Sequence, residues 1–141
     1  MLLIFNYNIF ATNVVVDPVS VAKGVRATKT ASGIDQIDVA RPNGRGTSYN
    51  RLMELQVTEQ GLVLNNNKQV VVDTEIAGLV ARNRNLDGGN EANLIITEVS
   101  GKNITNINGT VEIAGGRADL VMANRNGVVV NGGRFLNTSR V

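Results

Sequence analysis

Hydrophobic positions along the chain fall in short bursts. They read Asn13–Val16, Ile34–Val39, Leu52–Val57, Leu62–Leu64, Val70–Asp73, Ile76–Val80, Leu94–Val99, Thr110–Ala114, Ala118–Ala123 and Val128–Val130, with Phe135–Leu136 opening another. No long segment repeats apolar residues at i, i+3, i+4 between caps, which is what a helix needs. Gly and Asn fill the gaps: Asn43-Gly44, Asn65-Asn66-Asn67, Asp87-Gly88-Gly89-Asn90, Asn108-Gly109, Gly115-Gly116, Asn126-Gly127 and Asn131-Gly132-Gly133. Both residue types tolerate left-handed backbone, and Asn bonds its own main chain. Short strands punctuated this regularly predict an all-β protein.

The pattern leaves the architecture open. Val70-Val71-Val72 and Val128-Val129-Val130 are continuous, which suits strands buried on both faces or the corners of a wound coil. Asn-Gly also serves ordinary antiparallel hairpins, so a sandwich and a parallel β-helix both fit. Many Asn and Gly with short Val/Ile strands suit a solenoid, whose turns stack like on like. Asn-Arg-Asn occurs at Asn83 and again at Asn124, an offset of 41 residues (124 − 83). Two coils of about twenty residues each would produce it.

Composition narrows the chemistry. At 141 residues the chain suffices for one domain. Aromatic residues are 4% and Trp is absent, so Val, Ile, Leu and Ala must build the core. Lys+Arg is 14 against Asp+Glu 12, and the arginines are scattered. That distribution lacks the basic cluster and stacking rings of a nucleic-acid binder. Without Cys there is no disulfide or thiolate metal site, and without His the commonest general base and metal ligand is missing.

An enzyme would depend on carboxylates: Asp35 with Asp38, Asp87 with Glu91, or Glu112 with Asp119. Asp35 and Asp38 lie on opposite faces of a strand, and surface solvation accounts for each pair. Gly115-Gly116-Arg117 and Gly132-Gly133-Arg134 lack the Lys-Ser/Thr ending of a phosphate loop. No catalytic residue, metal or cofactor is expected. Residues 1–13 read as a signal-peptide remnant or a disordered start, because the apolar run is broken by Asn6-Tyr7-Asn8 and no Lys or Arg precedes Lys23. No stretch is long enough to span a membrane as a helix, so stable membrane insertion is not expected.

An ordered series of segments carries a resemblance. Ala31-Ser32-Gly33-Ile34-Asp35-Gln36-Ile37-Asp38-Val39 is followed by Pro42-Asn43-Gly44 and Gly46-Thr47-Ser48-Tyr49-Asn50, then by Gly61-Leu62-Val63-Leu64-Asn65-Asn66. Asn83-Arg84-Asn85-Leu86, Ile95–Val99, Gly109–Gly115, Asn124-Arg125-Asn126-Gly127-Val128 and Val130–Arg140 come after. In this order they resemble the N-terminal secretion domain of two-partner secretion exoproteins, the filamentous haemagglutinin family of adhesins, haemolysins and contact-dependent inhibition toxins. The family's signature turns read Asn-Pro-Asn-Leu and Asn-Pro-Asn-Gly-Ile. Here both prolines are Arg, at Arg84 and Arg125, which puts any contact with the proline ring in doubt.

The resemblance implies a right-handed parallel β-helix over residues 14–141, with N-terminal cap strands and a small extra-helical β element, truncated at the C-terminus. It implies passage through the general secretory machinery to the periplasm. There the periplasmic POTRA domains of an outer-membrane transporter would recognise the chain, which would then fold at the cell surface. Asn83, Arg84, Asn85 and Leu86 are assigned to partner recognition. Asn124, Arg125, Asn126, Gly127 and Val128 are assigned to a structural turn. Two alternatives stand beside this: an adhesin module binding a host glycan or protein directly, and a truncated, non-functional relic.

Overall fold

The computed structural model describes residues 13–141. The signal-remnant assignment therefore lies, apart from Asn13, outside the described residues. Among those described the chain forms thirteen strands and one four-residue helix. β1 (Val14–Val16), α1 (Pro18–Val21) and β2 (Arg26–Lys29) form a cap. β1 runs antiparallel to β4 (Thr47–Leu55), and β2 antiparallel to β3 (Asp35–Asp38). Asp17 starts α1 by accepting the Val19 amide at 2.9 Å, with Pro18 behind it in the first turn.

From β3 onward the chain winds. β3, β5 (Leu62–Asn66), β10 (Val111–Gly115) and β13 (Phe135–Leu136) stack in parallel as one wall. β4, β8 (Leu94–Val99) and β11 (Asp119–Asn124) stack in parallel as a second. β9 (Thr105–Ile107) and β12 (Val128–Val130) make the third, extended by a parallel bridge from Val57 to Ile107. This is a parallel β-helix. Side chains pointing inward stack in ladders: Ile37, Leu64 and Ile113 lie in register on the first wall, at 0%, 0% and 1% exposure. Each apolar residue thus meets an apolar neighbour from the adjacent coil. The aliphatic core expected from composition is what fills the helix.

The coils are longer than the expected twenty residues. Leu94 pairs with Asp119, 25 residues on (119 − 94), and Val111 with Phe135, 24 on (135 − 111). The coil from Leu62 to Val111 takes 49 residues (111 − 62). Its excess is an excursion, the antiparallel hairpin β6 (Val71–Thr74) and β7 (Gly78–Ala81), followed by a 3-10 turn at Arg84–Leu86. The two Asn-Arg-Asn units are consequently not two coils apart. Asn83 stands before the second wall is entered and Asn124 is the last residue on leaving it. The echo is one of turn chemistry at two different corners.

Other expectations change for physical reasons. Val70 and Val71 are 77% and 45% exposed and Val128–Val130 are exposed throughout. They lie on the hairpin and on the last coil, so neither run is a doubly buried strand. Asn65, Asn66 and Asn67 are at most 1% exposed, and the first two belong to β5. Gly46-Thr47-Ser48-Tyr49-Asn50, which the resemblance implies is a turn, enters β4 at Thr47, with Ser48 and Asn50 fully buried. β2 and β9 are polar enough to have escaped the hydrophobic pattern.

Candidate functional site

Asn does a job here that its usual turn propensity does not describe. Asn137 is the one non-glycine residue with positive φ among those described, so the other asparagines described are not present for left-handed backbone. Its amide binds the main chain of neighbouring segments instead. A buried peptide carbonyl left unpaired costs roughly 1–3 kcal/mol, and the corners of a coil expose such carbonyls wherever strand pairing stops.

The Asn83–Leu86 turn is built on this principle. The Asn83 Oδ1 accepts the Asn85 amide at 2.9 Å and the Leu86 amide donates to the Asn83 carbonyl at 3.1 Å. The Asn83 Nδ2 donates to the carbonyls of Val39 (2.9 Å) and Asn65 (2.8 Å). The Asn85 Nδ2 donates to Gly24 (2.9 Å) and Val39 (3.0 Å). One turn thereby ties the hairpin's return to the cap and the first coil. Asn83 is 1% exposed and Leu86 is fully buried, while the Arg84 side chain is exposed.

The Asn124–Val128 turn repeats the device at a wetter corner. The Asn124 Oδ1 accepts the Asn126 amide at 2.9 Å, and the Gly127 amide donates to the Asn124 carbonyl at 2.9 Å. The Asn124 Nδ2 reaches the Asn103 carbonyl (2.8 Å) and the Thr105 Oγ1 (2.9 Å). The Asn126 Nδ2 reaches the Gly101 carbonyl at 2.8 Å. Gly127 has φ +121°, a conformation open to glycine. Arg125 and Asn126 are exposed, as is Val128. Arg84 and Arg125 thus occupy the same turn position, where the chain needs no particular side chain.

Beside the first turn lies a shallow groove of about 390 Å³, lined by Arg26 and Thr28 of the cap, Asp38, Asn65, and Arg82 through Asn85. Arg82 pairs with Asp87 at 3.4 Å. Asp38 accepts from Gln36 (2.8 Å) and Asn65 (2.9 Å).

The carboxylate pairs considered for catalysis are each spent on separate partners. Asp35 holds Lys29 at 2.7 Å while Asp38 holds Gln36 and Asn65. Asp87 meets Arg82, and Glu91 accepts the Lys68 amide at 3.3 Å. Glu112 binds the hairpin, and Asp119 meets Arg140 at 2.6 Å. Among the described residues no three acidic groups gather as a metal cage, and no helix is long and apolar enough to cross a membrane. What sequence reading missed is the interior: Asn50, Asn65, Asn66 and Asn67 are buried polar groups that hydropathy marks as surface.

The TPS secretion domain model matches residues 13–141, essentially the whole described chain. The chain belongs to the TPS secretion domain family. It is 41% identical over 112 residues to tRNA nuclease CdiA-2 of Burkholderia pseudomallei (strain 1026b), covering 79% of this chain and 4% of that protein. It is 39% identical over 118 residues to a hemolysin of Serratia marcescens, covering 84% of this chain and 7% of that one. The crystal structure of the filamentous hemagglutinin secretion domain superposes with a TM-score of 0.80 at 30% identity, over 91% of this chain and 40% of that one. The chain spans only a small fraction of the length of these curated relatives. The family matched over residues 13–141 is that of a secretion domain and not of a catalytic one.

Proposed function

We propose that this chain is the secretion signal of a larger exported bacterial surface protein. The POTRA domains of an outer-membrane transporter recognise it in the periplasm, after the general secretory machinery has delivered it there. It then folds outside the cell and nucleates the β-helix that follows. The observation that carries this reading is the match of residues 13–141 to the TPS secretion domain.

Geometry supports a division of labour between the two turns. In the folded chain Asn83 and Leu86 are buried, and both polar ends of the Asn83 amide are engaged. A partner can read those side chains only while the chain is extended, which is the state a transporter would meet. The Asn124–Val128 turn, bonded to the preceding segment at Gly101, Asn103 and Thr105, serves coil closure. Coils that contact mainly their neighbours also suit folding as they emerge, and absence of Cys leaves no disulfide to lock the chain before transit. On the last coil Leu120, Met122, Val128, Val130 and Phe135 line an apolar end face of about 290 Å³; a further coil stacked there would continue the helix.

The test is co-expression with the cognate transporter behind a working signal peptide. Transporter-dependent appearance of the chain in the medium supports the reading. Retention in the periplasm beside a competent transporter refutes it. Capture of the unfolded chain on immobilised periplasmic domains then tests the turn. Unchanged capture after Asn83→Ala with Asn85→Ala removes its recognition role.

A further inference from the structure

Glu112 is a charged residue with 7% exposure, the one polar side chain of β10. It stands in register with Val63 on β5, pointing out of the helix beneath the β6–β7 hairpin. Its Oε2 accepts the Glu75 amide at 2.9 Å and its Oε1 the Ile76 amide at 2.9 Å. These are the tip amides of the hairpin. Burying a carboxylate is costly unless its oxygens are bonded, and charge-assisted bonds of this kind are about twice as strong as neutral ones.

The rest of the hairpin contact is shared between two coils. The preceding one holds its base, where the Asn65 and Asn67 amides donate to the Ala81 and Val80 carbonyls, and the Ser32 hydroxyl donates to that of Ala77. The coil of Glu112 completes its underside. Ala77 and Val80 pack on Val63 and on Ala114, with Ile34, Val72 and Ile76 around them. Ala114 lies on β10, two residues beyond Glu112. Arg134, at the start of the next coil, meets Glu75 at 2.7 Å. The hairpin leaves the chain before β8, yet its tip is held by Glu112, 37 positions after Glu75 and 36 after Ile76. Its own strands give it four residue pairs, and an isolated two-stranded hairpin is marginal in water.

We propose that the β6–β7 hairpin is a strap whose catch is the Glu112 carboxylate, so that its tip closes only once the following coil has formed. While a chain folds from its N-terminus, β3, β4 and β5 can wind with the hairpin held at its base and its tip unlatched. Arrival of β10 supplies Ala114 to its apolar underside and Glu112 to its tip together. Closure of the tip thus reports completion of the next coil, and loss of the catch opens the strap without unwinding the helix.

Native-state amide hydrogen exchange on the full chain tests this. In the unsubstituted protein the Glu75 and Ile76 amides should be protected to the same degree as those of Val72 and Val80. Glu112→Gln keeps the size but turns one acceptor into a donor. It should speed exchange across Val71–Ala81 by about tenfold or more, leaving Leu62–Asn66 and Thr105–Ile107 unchanged, the signature of a local opening. Exchange of Glu75 and Ile76 at the rate of a bare turn in the unsubstituted protein would overturn the proposal. So would an unaffected hairpin in Glu112→Gln, or equal acceleration through every coil. Should Glu112→Gln fail to fold, the measurement on the unsubstituted protein still decides.

Discussion

Asn66 and Ala92 form a closed pair across one corner of the coil. The Asn66 Oδ1 accepts the Ala92 amide at 2.8 Å and its Nδ2 donates to the Ala92 carbonyl at 3.0 Å. The same Nδ2 reaches the Gly116 carbonyl of the next coil at 2.8 Å. A side-chain amide here replaces the neighbouring strand that the main chain lacks at the corner. The geometry requires Asn specifically, because one end must accept and the other donate. Asn66→Asp keeps the shape but sets an oxygen against two carbonyls. It should cost about 2–4 kcal/mol, read as a lowered urea midpoint at neutral pH.

The first signature turn should accept proline. Asn83 is extended at φ −81° and ψ 113°, the conformation a residue before proline prefers. The Arg84 amide donates no hydrogen bond among those described, so proline removes nothing. Arg84→Pro should raise stability by about 0.4–1 kcal/mol through the unfolded chain. Chemical denaturation checks it; a loss of stability would mean the turn is not preset as described.

Thr97 carries a hydroxyl with no partner at 0% exposure, stacked in register between Asn50 and Met122. A buried unsatisfied hydroxyl is a net cost, and valine has nearly the same shape. Thr97→Val should therefore stabilise the domain by about 1 kcal/mol, measurable as a higher Tm. An unchanged or lower Tm would indicate that the hydroxyl is satisfied in solution.

Stability should be flat at neutral pH and fall in acid. The Ser100 hydroxyl, at 2.7 Å, holds the Asp17 carboxyl below its ordinary value of 3.8, helped by the Val19 amide and Arg51. Arg140 does the same for Asp119 through a hydrogen bond at 2.6 Å. A carboxyl whose pKa is lower folded than unfolded stabilises fully above the unfolded value. That contribution is lost as pH falls below about 3.8 through the folded value. Urea titrations at pH 6 and at pH 3 should separate the unsubstituted protein from Asp17→Asn. The variant should lose less stability between the two.

Local chemistry in the sequence was enough to set the class of this protein. Short Val/Ile/Leu runs punctuated by Gly and Asn determine strands, because β-branched side chains favour a pleated backbone and the punctuation breaks it. The scarcity of aromatic residues determines an aliphatic core, and the ordered motifs determine the family. Both Asn-Arg-Asn turns were visible as turns, since each Asn caps a backbone amide two residues on. The tertiary structure alone decided which asparagines are interior. Asn50 and Asn65–Asn67 look like surface until another segment brings carbonyls to them, and that pairing depends on contacts 26 to 50 residues away for Asn66. It also decided that the 41-residue echo is not a coil repeat, because a hairpin enlarges the second coil. Glu112 reads in sequence as one more solvated carboxylate; only the hairpin folded above it makes it a buried anchor.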